Sequence, residues 1–382
     1  MKKKENSEIT VAVAMSGGVD SSVAAALLKE QGYNIFGVHM KLWSFLEVGG
    51  NVNHESGCCS LDSVYDCRLV CGKLGIPFYT VDLSEEFNTA VIDNFKSEYI
   101  AGRTPNPCVL CNSKIKWETF IKRCADFGAD YIATGHYANI FKDDTTGRYS
   151  IKKGDYNKKD QSYYLWGLKQ DALAKTLFPV GQLTKPEVRE IAEKYEFRTA
   201  KKPESQEICF VKDNNYSRFL KESIEGLEEQ TKNGKMVDTD GNIIREHNGY
   251  PFYTVGQRKG LGGGFSEPKY VVEIKSETNE VVVGNKNDLY ADGLIAEQVN
   301  FQIIDELREK RNAFVAIRYN DTPQPATLEY IDGTHVKIIF QTPRMSVSPG
   351  QSTVFYDENN LVIGGGIIQS PLKISKEAHV NT

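Results

Sequence analysis

Apolar residues follow one rhythm up to about Cys209 and another beyond it. In the first part, compact apolar runs at 9–15, 34–40, 78–82 and 131–134 alternate with stretches at 21–31, 61–74, 85–101 and 112–127 whose apolar residues recur every three or four positions. The first kind has the length of buried strands, and the second has the period of helices that cover a sheet. Alternation of this sort predicts a parallel sheet with helices on both faces, and ligands of such sheets sit at the carboxyl ends of the strands. Thr184-Lys185-Pro186-Glu187 joins a capping box to a first-turn proline and predicts one more helix, running to Tyr195. From Gly241 onward, glycine turns punctuate short β-branched runs. Runs 270–275 with 280–283, 327–331 with 336–340, and 353–356 with 361–363 read as three hairpins, the second turning at Asp332-Gly333. This half reads as all-β and closes into a small barrel. The expected organisation is an α/β domain over 1–212, a small central domain over 213–292 and a C-terminal β-barrel over 293–382.

The first strand runs into Ser16-Gly17-Gly18-Val19-Asp20-Ser21-Ser22, and a helical pattern resumes at once. Adjacent glycines let backbone N–H groups approach an anion, and the helix that follows aims its positive end at the same point. Ser16, Ser21 and Ser22 add hydroxyl donors, while Asp20 beside a phosphate calls for a bridging Mg²⁺. No Gly-Lys-Ser/Thr ends the motif, so it is not a Walker A loop. It resembles the SGGxDS loop of ATP pyrophosphatases, which split ATP into AMP and pyrophosphate to adenylate a carbonyl oxygen.

The chain carries 8 cysteines. The N-terminal segment, basic but lacking the apolar core of a signal peptide, and the absence of any apolar run near the ~20 residues of a membrane span predict a cytoplasmic protein with no membrane association. In that compartment cysteines point to thiol or metal chemistry rather than a disulfide framework. Cys108-Val109-Leu110-Cys111 follows two prolines and precedes a predicted helix, which puts Cys111 at or beside a helix N-terminus, where a thiolate is stabilised. Cys209 comes soon after Lys201-Lys202, which would also lower a thiol pKa. Three readings stand for Cys108, Cys111 and Cys209: a nucleophile and persulfide pair, a redox disulfide, or ligands of a metal or iron–sulfur cluster. Cys58-Cys59 with Cys67 and Cys71 form a separate, unassigned group, and Cys124 reads as core.

At 382 residues, 40% hydrophobic and 25% charged, the composition is that of an ordinary globular protein of two or three domains. The formal net charge of −5 excludes a protein that coats itself in nucleic acid, but leaves room for a local basic face. Lys152-Lys153, Lys158-Lys159 and Lys201-Lys202 are candidates for one, with Tyr163, Tyr164 and Trp166 as stacking partners for a flipped base.

Taken in order, these motifs resemble the MnmA family, the bacterial tRNA-specific 2-thiouridylases. The resemblance runs through Ser16–Ser22, 102–112, Ala133-Thr134-Gly135-His136-Tyr137, Lys159-Asp160-Gln161-Ser162-Tyr163, Phe178-Pro179-Val180-Gly181 and Ile208-Cys209-Phe210. In the β half it continues through Thr254-Val255-Gly256-Gln257-Arg258-Lys259-Gly260-Leu261-Gly262, Pro349-Gly350-Gln351-Ser352 and Gly364-Gly365-Gly366-Ile367-Ile368. It implies an adenine nucleotide alpha hydrolase-like N-terminal domain and a reaction: the O2 of the wobble uridine is adenylated by ATP, and a persulfide sulfur then replaces it. The resemblance further implies Cys111 as nucleophile, Cys209 as persulfide carrier and a disulfide between them on discharge. It places ATP at Ala14, Met15, Ser16, Gly17, Gly18, Val19, Asp20, Ser21, Met40 and Gly135. It places tRNA contacts at Asn106, Pro107, Cys108, His136, Lys159, Asp160, Gln161, Arg318, Tyr319 and Gln351. ATP, Mg²⁺, tRNA and a cysteine desulfurase or sulfur-carrier protein are the implied cofactors and partners. The family commonly has Asp where this chain has Cys108, which adds a third thiol to the site. Two other readings compete: an adenylating enzyme with a non-tRNA acceptor, and a non-catalytic, metal-containing RNA-binding protein.

Overall fold

The computed structural model describes residues 4–43, 61–156, 159–203, 208–211 and 213–373. Two compact units form, and neither is continuous in sequence: one comprises 1–92, 108–214 and 359–362, the other 93–107, 215–358 and 363–382.

In the first unit the predicted alternation is realised as β1 (Thr10–Met15), α1 (Val19–Glu30), β2 (Asn34–Lys41), α2 (Leu61–Leu74), β3 (Phe78–Asp82) and β4 (Tyr131–Ala133). A hairpin of β5 (Ala138–Lys142) and β6 (Tyr149–Lys153), not anticipated from sequence, precedes β7 (Thr176–Leu177). The main sheet has the order β3-β2-β1-β4-β7, and all its pairings are parallel. β1 is central, its residues 11–15 all buried, which is why it reads as an unbroken apolar run. Val13, Ala24, Ala25, Val70 and Val188 belong to one core cluster with it. The strand order reverses between β1 and β4, so the loops after these two strands flank the topological switch point.

Two predicted helices are wound differently. The single helix expected over 85–101 is Ser84–Phe87, then a π-helical turn Asn88–Ile92, then Asp93–Ile100. Phe87, Val91, Ile92, Phe95 and Tyr99 are all buried, and the wider turn lets the adjacent Val91 and Ile92 both face inward. The helix expected over 112–127 starts a turn earlier, at Pro107, and runs through Pro107–Leu110, a π-wound Cys111–Phe120 and Ile121–Asp126. Proline is at home in a first turn, where its missing N–H would have no partner anyway.

The second unit contains β8 (Gly234–Val237), β9 (Ile243–His247), β10 (Tyr270–Lys275) and β11 (Glu280–Gly284), in the order β10-β11-β8-β9. It also contains a six-stranded closed barrel of β12 (Tyr290–Phe301), β13 (Arg311–Ala316), β14 (Gln324–Asp332), β15 (His335–Met345), β16 (Ser352–Tyr356) and β17 (Val362–Leu372), whose first residue falls in the other unit. All three predicted hairpins are present as neighbouring strands; β10 matches its apolar run, and the other strands extend past theirs. Leu294, Val315, Leu328, Ile338 and Phe355 fill the barrel interior. Among the described residues no helix is long and apolar enough to cross a membrane.

Candidate active site

The glycine loop sits between β1 and α1 as its sequence predicts, and two glycines are needed there. Gly17 has φ +72°, and a Cβ on it would lie 2.6 Å from the Ser63 carbonyl oxygen. Gly135, just past β4, has α1 packed so closely that a Cβ would lie 2.7 Å from Ser21 N. The loop and Gly135 therefore meet at the switch point, beyond the carboxyl ends of β1 and β4. Met40, near the end of β2, is half-buried. Ala14 and Met15 are buried in β1 (7% and 1% exposed), which leaves their backbone alone to face a ligand.

The serine hydroxyls depart from the expectation that all three are donors to phosphate. Ser22 is fully buried, donates to the Gly18 carbonyl at 2.9 Å and meets Thr199 Oγ1 at 3.1 Å. Ser21 Oγ donates to the same carbonyl at 3.1 Å and accepts the Ser16 N–H at 3.2 Å. These hydroxyls shape the turn, and Ser16 is the exposed member of the three.

Asp20, whose position suggested a Mg²⁺ bridge, is held by two neighbouring side chains. Lys185 Nζ donates to both its oxygens, at 2.7 and 2.9 Å, and Tyr137 OH donates to Oδ1 at 2.7 Å. Lys185 is 9% exposed and is delivered by the Lys185–Lys194 helix, whose predicted capping box is formed: Thr184 N donates to Glu187 Oε2 at 2.6 Å, and Glu187 N to Thr184 Oγ1 at 3.4 Å. A second ammonium braces the other side of the loop. Lys202 Nζ donates to the Gly17 carbonyl (3.0 Å), Ser63 Oγ (3.4 Å) and the buried Asp66 (2.8 Å). Arg198 Nε lies 3.6 Å from the other Asp66 oxygen. The nucleotide loop thus carries two fixed cations that sequence reading did not assign to it. Lys201-Lys202, a candidate for a basic RNA-facing pair and for lowering the Cys209 pKa, instead has its Lys202 turned onto the loop.

Cys108, Cys111 and Cys209 all fall on the unit that holds the loop, and all carry their sulfur as thiols. Cys108 is exposed, whereas Cys111 and Cys209 are half-buried. Because the helix starts at Pro107, the first-turn position expected for Cys111 belongs to Cys108, and Cys111 lies one turn further on, where the π winding begins. Among the described residues no group of three or more His, Cys, Asp or Glu is arranged to hold a metal ion, so the iron–sulfur ligand set Cys108, Cys111 and Cys209 is not assembled. Cys67 and Cys71 are core residues, 0% and 1% exposed, and burial pushes each thiol up to about 12. Cys58 and Cys59 lie outside the described residues.

The expected RNA contacts divide into surface and scaffold. His136 is half-buried with its Nδ1 2.7 Å from Thr134 Oγ1; burial and the nearby Lys116 ammonium hold its pKa well below the ordinary value, so the ring is neutral and unsuited to act as a general acid. Asp160 accepts from Gly154 N, Ser162 N and Ser162 Oγ, and burial raises its pKa; it organises its own loop. Gln161 exchanges hydrogen bonds with the Tyr137 backbone, its Oε1 accepting at 3.0 Å. Tyr163 and Trp166, expected as stacking platforms, are buried at 2% and 5%, leaving Tyr164 as the partly exposed ring. Lys159 is half-buried, its backbone N–H bonded to Tyr156, while Lys158 lies outside the described residues. In the second unit Arg318 is exposed and Tyr319 half-buried in the turn after β13. Asn106 and Pro107 close that unit's 93–107 segment, and Gln351 sits in the turn before β16.

A phosphate-cradling loop without a Walker lysine, at the switch point of a five-stranded parallel sheet, defines a PP-loop enzyme of the ATP pyrophosphatase class. Comparison with known proteins narrows the class. Residues 9–213 match the family model described as tRNA methyl transferase HUP domain, 217–285 the tRNA methyl transferase PRC-barrel domain, and 291–368 the aminomethyltransferase beta-barrel domain. The chain is 50% identical over 363 residues to the tRNA-specific 2-thiouridylase MnmA of Carboxydothermus hydrogenoformans, covering 95% of this chain and 98% of that one. It is 48% identical over 359 residues to its namesake in Salinibacter ruber (94% and 94% covered) and 49% over 365 residues to that of Amoebophilus asiaticus (95% and 96%). The chain belongs to the MnmA family of tRNA-specific 2-thiouridylases.

Proposed function

We infer that this protein is a tRNA-uridine 2-sulfurtransferase that uses ATP to replace O2 of the wobble uridine with sulfur. The observation that carries the reading is the SGGVDS loop at the switch point on the same unit as the half-buried thiols Cys111 and Cys209. The family model's description speaks of methyl transfer, but methylation has no use for an adenylating loop or for paired thiols. Thiolation needs both, because a uridine oxygen leaves poorly until it is esterified to AMP.

In this reading O2 attacks the α-phosphorus of ATP bound at Ser16–Ser21, and pyrophosphate departs. The N–H groups at the start of α1 stabilise the charge that develops, on a loop whose shape Lys185 and Lys202 hold. Mg²⁺ comes with the triphosphate, and no side chain here is assigned to it. The terminal sulfur of a Cys209 persulfide then bonds to C2 and AMP leaves. Cys111 thiolate attacks the Cys209 sulfur, the S–S bond breaks with its electrons on the transferred sulfur, and a Cys111–Cys209 disulfide remains for a thiol reductant. Target-base contact falls to Asn106, Pro107 and Cys108, and RNA backbone contact to Lys159, Arg318 and Tyr319. The sulfur arrives from a cysteine desulfurase or sulfur-carrier protein, and the cytoplasm is the compartment that holds ATP and tRNA together.

The test is thiolation of unmodified tRNA with Mg-ATP and a sulfur source, read by nucleoside mass spectrometry beside Cys111→Ser and Cys209→Ser. Thiouridine that requires ATP and vanishes in both variants supports the reading. AMP released without thiouridine would assign the loop to another acceptor.

A further inference from the structure

In the second unit, one turn of the barrel grips the segment that leads to the catalytic helix. Thr104-Pro105-Asn106-Pro107 contains two prolines and so has few N–H groups with which to hold itself in place. The bonds come from residues 349–351 instead. Gln351 Nε2 donates to the carbonyls of Thr104 (2.9 Å) and Pro105 (3.2 Å), and Thr104 N donates to the Pro349 carbonyl at 2.8 Å. An amide nitrogen carries two N–H bonds, and these two carbonyls take both. The turn is itself anchored: Gln351 N donates to Ser348 O at 3.2 Å, and Ile368 N donates to Gln351 O at 2.7 Å. Gly350, at φ +88°, lets the segments touch, since a Cβ there would lie 2.9 Å from Thr104 N and 3.0 Å from Arg103 Cβ.

Arg103 adds an ionic bolt to the same segment. Its Nε donates to Glu98 at 2.7 Å and its Nη2 to Glu297 of β12 at 2.6 Å, with the three side chains only 18–22% exposed. A guanidinium bridging two carboxylates has a fixed plane and fixes the backbone that carries it.

We propose that Gln351, with the Arg103–Glu98–Glu297 triad, is a positioning residue for sulfur transfer: it sets the loop that leads into the helix bearing Cys108 and Cys111. This rests on the reading of Cys111 as nucleophile. It departs from the tRNA contact that family resemblance implies for Gln351, because a phosphate would have to take an N–H already given to Thr104 or Pro105. Displacing an attacking group by about 1 Å costs up to ~100-fold in rate, so a loop without its own ladder gains from such a clamp.

The test compares the full-length protein with Gln351→Met, which keeps the length of the side chain and loses both donors. Amide hydrogen exchange of the peptide spanning residue 104, kcat for thiolation, and tRNA dissociation constants at two salt concentrations are measured. The expected result is exchange at Thr104 about tenfold faster and kcat about tenfold lower, with tRNA affinity within about twofold and an unchanged salt slope. Unchanged exchange overturns the proposal, whether tRNA affinity falls, which would make Gln351 an RNA contact, or stays the same. Should Gln351→Met fail to fold, Glu297→Gln reads the same exchange through the other half of the clamp. If the parent protein forms no thiouridine, the sulfurtransferase reading fails, while the exchange data still judge the clamp.

Discussion

Asp20 is a single letter in a familiar loop, yet its role is set by Lys185, 165 positions away. That distance marks what a sequence conceals. The glycines could be read locally, because a positive φ and a close approach leave few alternatives to glycine. The ion pairs could not, because they depend on which chain segments fold against the loop. Asp66–Lys202 is the sharper case. Asp66 has only 4% of its side chain exposed and Lys202 26%. Removing one partner of a buried pair leaves the other charged and dry, so Lys202→Met should destabilise the protein by about 2–3 kcal/mol, somewhat less than the usual cost since Arg198 stays near. Lys202→Met with Asp66→Leu should recover part of that loss in urea melts, and a double variant no more stable than the single would show the pair is not coupled. The thiols make a second prediction. Burial raises Cys67, Cys71 and Cys124 to about 12, whereas Cys108 is exposed in the first turn of its helix. Iodoacetamide near neutral pH should label Cys108 first, Cys111 and Cys209 more slowly, and the three buried thiols only on unfolding, as followed by peptide mass spectrometry.

Elements with a local start signal were readable, and those shaped by packing were not. Thr184-Lys185-Pro186-Glu187 carries its own hydrogen bonds, so the helix it opens was placed correctly. Asp332-Gly333 likewise fixed the turn between β14 and β15, although the strands extend well past their apolar cores. The π-wound segments at Asn88–Ile92 and Cys111–Phe120 had no such mark, because their winding answers to which side chains must face inward. The same blindness put Cys111 at a helix start that belongs to Pro107. Thr184 links element to site, since its cap holds the first turn from which Lys185 reaches Asp20. Thr184→Ala should cost about 1 kcal/mol in thermal melts and should also raise the KM for ATP. A melt shift with an unaltered KM would mean that Lys185 finds Asp20 without the cap.

Histidine protonation is where the fold as a unit answers to pH. His136 is kept neutral by burial and the Lys116 ammonium, and His247, in β9, by burial. Both have folded pKa values below the ordinary 6.5, so as pH drops through that value the unfolded chain takes up protons that the folded chain refuses. Stability is therefore fully present above about pH 6.5 and is lost below it. The carboxylates do not cancel this. Asp82 and Asp332, held at about 2, withdraw their contribution only below their ordinary 3.8. Asp160, raised by burial, works in the opposite direction, but it is one group against two. Since each histidine lies in a different compact unit, the loss should be shared between them. Urea midpoints measured from about pH 8 down to pH 5 should be level and then fall, and the fall should be smaller in His136→Asn and smaller still when His247→Asn is added. A midpoint that falls as steeply in the double variant would assign the acid sensitivity to groups other than these two rings.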